Sequence, residues 1–196
     1  MADPDPRRAV IEHLTQPATG ELPSRRAAEP GDLPARPVAS ISRGNPFTAI
    51  PDSIEFLKER GIPDRRLFAV TFDDQSGNNW FWLVAAELDS TGWTAHGVAG
   101  GSDGPAGESS RERPARSEPS LNLAGQWGGD RFYAGGEVDA AGALLGRVRL
   151  TLADGTALVD DADADVALFV SDRPEQLVTV DIYDVDGHLL ASRKAF

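Results

Sequence analysis

The sequence predicts a mainly β fold: an antiparallel β-sandwich or small barrel, with one short helix and a disordered N-terminal arm. Three observations carry that expectation. Short runs of alternating apolar and polar residues recur through the C-terminal part at the spacing of sandwich and barrel strands. Turns built from Asp and Gly punctuate them, because these residues suit tight hairpins. Eight of the fourteen prolines fall between Pro4 and Pro46, among Ala, Arg, Glu and Gly, a composition that buries too little apolar surface to offset its ordering entropy.

The division that follows is an arm over 1–45 and a β-rich domain over 46–196. Within the arm, Asp5 to Gln16 has the pattern of a short helix with Val10, Ile11 and Leu14 on one side. Helices of this length are marginal alone, so the plain reading is a frayed helix of no consequence, and the sharper one is a docking peptide that orders on a partner. A second helix is expected around Asp52 to Arg60, from the capping-box spacing of Asp52 and Glu55 and a stop at Gly61. Leu67 to Phe72 reads as a strand with Phe68, Val70 and Phe72 on one side, followed by turn residues Asp73 to Asn78. Trp80 to Leu88 is apolar on both faces, Trp80, Trp82 and Val84 alternating with Phe81, Leu83 and Ala85, which predicts a central, doubly covered strand. A short strand at Trp93 to Val98 precedes a polar, Gly-rich stretch over 100–120 that is expected to be a flexible loop.

Further strands are predicted at Arg131 to Val138, Arg147 to Leu152, Val166 to Val170 and Val178 to Tyr183, with a last one from His188. Val148, Leu150 and Leu152 alternate with Arg147, Arg149 and Thr151, the pattern of a strand with one wet face. Over the last third of the chain this succession resembles the architecture of immunoglobulin-like or fibronectin-like modules, without a diagnostic motif. An architectural resemblance implies nothing about activity.

Charge narrows the function classes. The arm holds six acidic and six basic residues, so the whole formal charge of −12 sits on the domain. An acidic surface repels phosphate backbones and anionic headgroups, which argues against nucleic acid and membrane as partners. No cysteine is present, which removes disulfides, thiolate nucleophiles and cysteine-bound metals. Met1 to Pro6 has no basic segment leading into an apolar one, and no run is long enough to span a bilayer, so a cytoplasmic location is expected.

Catalytic motifs are missing. Gly100-Gly101-Ser102-Asp103-Gly104 is not a nucleophile elbow, and no glycine-rich loop leads into a helix that would present amides to a phosphate. The three histidines share no motif, and only His96, between Trp93 and several glycines, has a suggestive setting. The run Asp160 to Asp165 puts aspartates 161, 163 and 165 at alternate positions, but the glycine and bidentate glutamate of a calcium loop are replaced by Val166 and Asp172, so no metal is assigned. Among the aromatics, Trp127 lies between glycines and Tyr133 nearby, and with Asp130 and His96 they form the candidate binding set. The resulting expectation is a non-catalytic protein-interaction or accessory β-domain without cofactor, its partner another protein. The alternative is a carbohydrate- or small-ligand-binding β-sandwich, hydrolytic if acids such as Asp130 take part, with exposed aromatics as its platform.

Overall fold

The computed structural model describes residues 5–16, 48–105, 117–128, 131–172 and 176–194. Among them are one α-helix, α1 (Pro6–Thr15), and the strands β1 (Glu55–Ile62), β2 (Arg65–Asp73), β3 (Asn78–Asp89), β4 (Gly92–Pro105), β5 (Ser120–Leu121), β6 (Ala124–Gly128), β7 (Arg131–Asp139), β8 (Leu145–Leu152), β9 (Ala157–Asp160), β10 (Val166–Ser171), β11 (Leu177–Asp184) and β12 (Leu189–Lys194). No helix among these residues is long and apolar enough to cross a membrane.

All strand pairings are antiparallel and form three sheets, none of them closed into a barrel. The first sheet runs β1-β2-β3-β4, the middle one places β10 on one side of β7 and both β5 and β6 on the other, and the last runs β12-β11-β8-β9. The expected sandwich is present, with one sheet more than a two-sheet module.

Period-two alternation decides how the layers stack. In β2 and β3, Phe68, Val70, Phe72, Val84 and Ala86 point to one face and pack under Val10 and Leu14 of α1. Leu67, Ala69, Phe81, Leu83 and Ala85 point to the other and meet Tyr133, Val166 and Leu168 of the middle sheet. The middle sheet is apolar on both sides, since Phe132, Ala134, Ala167 and Phe169 face Val148, Leu150, Leu152 and Ile182 of the last sheet. The doubly covered position predicted for Trp80 to Leu88 is therefore real, and β8 keeps Arg147 and Arg149 exposed on its wet face.

The β2–β3 hairpin turns on a buried carboxylate. Asp74 accepts hydrogen bonds from the Ser76 and Asn78 amides and from Trp80 Nε1, at 2.8, 3.0 and 2.8 Å, while Gly77 supplies a φ of +80°. Burial alone would push the Asp74 pKa up, but these bonds outweigh it and hold the carboxyl below its ordinary range.

Two expectations are corrected. The helix expected at Asp52 to Arg60 is only a 3₁₀ turn, Pro51–Ser53, followed by strand β1. Ile54 and Leu57 satisfied helical spacing, but the open edge of β2 supplies a ladder of backbone partners that a nine-residue helix does not match. Alternation sends Phe56 toward α1 and Leu57 toward the middle sheet, and the bulge between Phe56 and Lys58 lets Lys58 follow Leu57 to that side. The loop expected from Gly100 is strand as far as Pro105; residues 106–116 lie outside the described ones. Its glycines serve close approach: a Cβ on Gly100 would meet the Trp82 ring at 2.4 Å, and one on Gly97 would meet it at 2.8 Å.

The short helix in the arm is ordered. Asp5 caps it by accepting the Arg7 amide at 3.0 Å, Pro6 fills the first helical position, and Val10 and Leu14 are fully buried. Residues 17–47 lie outside the described ones.

Candidate functional site

Of the four residues expected to form a binding set, the structure brings two together. His96 on β4 and Tyr133 on β7 meet edge to face with ring centroids 6.0 Å apart. Tyr133 is not a surface platform. It is fully buried between the first and middle sheets because its position in β7 alternates with Phe132 and Ala134, which face the last sheet. Its Oη donates to Glu87 Oε1 at 2.7 Å, and Glu87 Oε2 pairs with Arg131 at 3.0 Å. Burial first, then the Glu87 carboxylate, push the Tyr133 phenol well above its ordinary pKa. The hydroxyl therefore acts as a donor that ties β3 to β7, which is poor chemistry for a base or nucleophile.

Burial is the first influence on the His96 imidazole as well. Burial lowers its pKa, Glu87 pulls it back up and Arg131 pushes it down again. Its Nε2 is enclosed without a hydrogen-bond partner, the sort of burial that costs about 1–3 kcal/mol. Trp127 lies on β6 opposite Phe132, while its side chain and the whole of Asp130 lie outside the described residues.

The stripe expected to dock on a partner is occupied within the chain. Val10 and Leu14 seat on the aromatic face of the first sheet and Ile11 points outward, partly exposed. Arg7 reaches Glu59 at 3.2 Å and stacks over the Phe56 ring at 5.2 Å, and the Leu14 carbonyl accepts the Ala49 amide at 2.9 Å.

One polar cluster was missed by sequence reasoning. Lys58, only 6% exposed, donates to Asp160 Oδ2 at 2.6 Å, to the Val166 carbonyl at 3.0 Å and to Asp163. Asp160, 2% exposed, also accepts from Arg60 at 2.7 Å and from the Leu168 amide at 2.9 Å. These groups border a cavity of about 390 Å³ whose rim includes Arg7, Phe56 and Asp161. All three ammonium protons of Lys58 are used, so the cluster works as an internal clasp between β1, β9 and β10. It holds Ala162, Ala164 and Asp165 at φ between 48° and 56°, left-handed values that side chains rarely adopt. The Lys58 hydrogen bond holds the Asp163 carboxyl below its usual range. Of the weighed calcium ligands, Asp163 thus already carries an ammonium. No local pattern marked Lys58, because its partners Asp160, Asp163 and Val166 lie about a hundred positions away in the chain.

Asp184, Asp186 and His188 bring one ligand atom each within 4.8 Å at the β11–β12 turn. Asp184 is committed to that turn, accepting the His188 and Asp186 amides at 2.8 and 3.0 Å and facing His188 Nδ1 at 3.2 Å. The same end of the last sheet carries the three most exposed large apolar side chains among the described residues, Leu144 (74%), Val185 (59%) and Leu189 (55%). The Val185 amide donates to the Leu144 carbonyl at 3.1 Å, so two of them lie on adjoining backbone.

No family of known proteins, no curated protein and no solved structure matches this chain.

Proposed function

We propose that this chain is a non-catalytic protein-interaction module and that the end of its last sheet is the contact surface. The observation carrying this reading is the concentration of exposed Leu144, Val185 and Leu189 at one sheet tip of a highly charged protein. Apolar side chains gathered in this way are a common mark of a surface that another protein covers. The acid-base candidates favour the same reading. Tyr133, Glu87 and Arg131 are committed to one another, as are Lys58, Asp160 and Arg60. A buried Tyr133 also takes one of the two platform aromatics away from the carbohydrate alternative.

The test is affinity capture from the native host with the full chain and with a Leu144→Asp, Val185→Asp, Leu189→Asp variant of unchanged melting temperature. A partner retained by the first and lost by the second supports the reading. Equal retention by both, or no retained protein at all, removes it.

A further inference from the structure

We infer that the aromatic outer face of the first sheet is a helix-binding groove and that α1 is its tethered, exchangeable occupant, standing where a partner's amphipathic helix binds. This surface is separate from the tip of the last sheet and does not depend on it.

The face and its cover are out of proportion. The covered face presents Phe68, Val70 and Phe72 at its centre, with Phe56, Trp80, Trp82 and Trp93 around them only partly buried. Over this expanse α1 inserts two side chains, Val10 and Leu14. Ten residues make a helix that is marginal on its own, so α1 exists because the face receives it. Among the described residues its other fastenings include the exposed Arg7–Glu59 pair, Arg7 over Phe56, the Leu14 carbonyl to the Ala49 amide and the partly buried His13. Exposed ion pairs contribute at most about 1 kcal/mol.

The attachment is that of a tethered ligand. Thirty-one residues, 17–47, separate the described helix from the described sheet segment, yet the ends meet at the Leu14–Ala49 hydrogen bond. Because helix and sheet belong to one chain, seating α1 is an intramolecular step and requires less intrinsic affinity than a separate peptide would need. A free helix of higher affinity competes with it by mass action. The seated α1 defines the competitor's chemistry: apolar side chains at i and i+4, matching Val10 and Leu14, and an arginine three residues before the first, matching Arg7 opposite Glu59 and Phe56.

The first experiment is native-state hydrogen exchange on the full wild-type chain. Amides of α1 should open at least a hundredfold more often than those of β2 and β3; exchange of α1 only with global unfolding would overturn the inference. The second titrates a fluorescein-labelled peptide of residues 5–16 into the full chain and into a full-length Val10→Asp, Leu14→Asp variant. The variant, whose own helix no longer seats, should bind the peptide about tenfold more tightly than wild type and shift the emission of Trp80, Trp82 and Trp93. A peptide carrying Leu14→Asp should not bind. A folded variant that ignores the wild-type peptide, or a variant that loses its sheets altogether, would make α1 a fixed part of the core and sink the proposal.

Discussion

The two outer faces of the stack are handled in opposite ways. On the first sheet, β2 and β3 are apolar on both sides, and the outward side is closed by α1. On the last sheet, β8 alternates strictly, so its outward side carries Arg147 and Arg149 in solvent, with Arg147 stacked 5.1 Å from the Tyr183 ring centre and Ser192 bonded to Asp181 at 2.6 Å. A sheet that is apolar on both sides must find a cover, whereas one with a polar side needs none. The chain provides that cover from its own N-terminus, across a 31-residue separation. The difference teaches that a single helix can be demanded by the residues of a distant sheet more than by its own sequence.

The sharpest way to test this contrast is a pair of truncations. Phe72→Ala under α1 should lower stability by about 3–5 kcal/mol through lost burial and a residual cavity, whereas Arg149→Ala on the open face should stay within about 0.5 kcal/mol. Urea unfolding of both variants reads this directly, and equal losses would dissolve the distinction.

A somewhat smaller effect is expected where the two ends of the stack are clasped together. Lys58→Met removes the ammonium from buried Asp160 and from the left-handed turn that follows. The loss should be about 3 kcal/mol, and Asp160→Asn in the same background should recover part of it by removing a buried charge that then has Arg60 but no longer the Lys58 ammonium. Absence of recovery in a double-mutant cycle would show that Lys58 acts by packing alone.

The smallest effect separates the faces by pH. Burial lowers the pKa of His13 on α1 and of His96 on β4 from 6.5, and the two repel each other when charged. Glu87 on β3 partly opposes the shift at His96, and Arg131 on β7, paired with the same Glu87, adds to it. The unfolded chain therefore takes up these protons at higher pH than the folded one. Their contribution is fully present above about pH 6.5 and is lost as pH falls through the unfolded value toward the folded ones. His13→Gln should flatten the fall in melting temperature between pH 7 and 5, which thermal melts across that range would read.

Much of the fold was legible because alternation reports burial directly. The two-faced apolarity of Trp80 to Ala85 announced a central strand, and the wet face of β8 followed from Arg147, Arg149 and Thr151. Segment 52–60 was not legible, because Ile54 and Leu57 fit a helix or a bulged strand equally and only the free edge of β2 chose between them. The candidate site was read less well. Tyr133 was expected on a binding surface and is buried instead, because its burial depends on which face of β7 meets which sheet, and that is a register fact rather than a composition fact.

By itself the sequence determined a β-rich domain, its turns, a central apolar strand and a short amphipathic helix, because each follows from spacing within a dozen residues. Only the tertiary structure decided where that helix rests, that Lys58 and Asp160 meet across 102 positions, and that Gly97 and Gly100 make room for Trp82. Those outcomes depend on contacts between segments far apart in the chain, which no local pattern encodes.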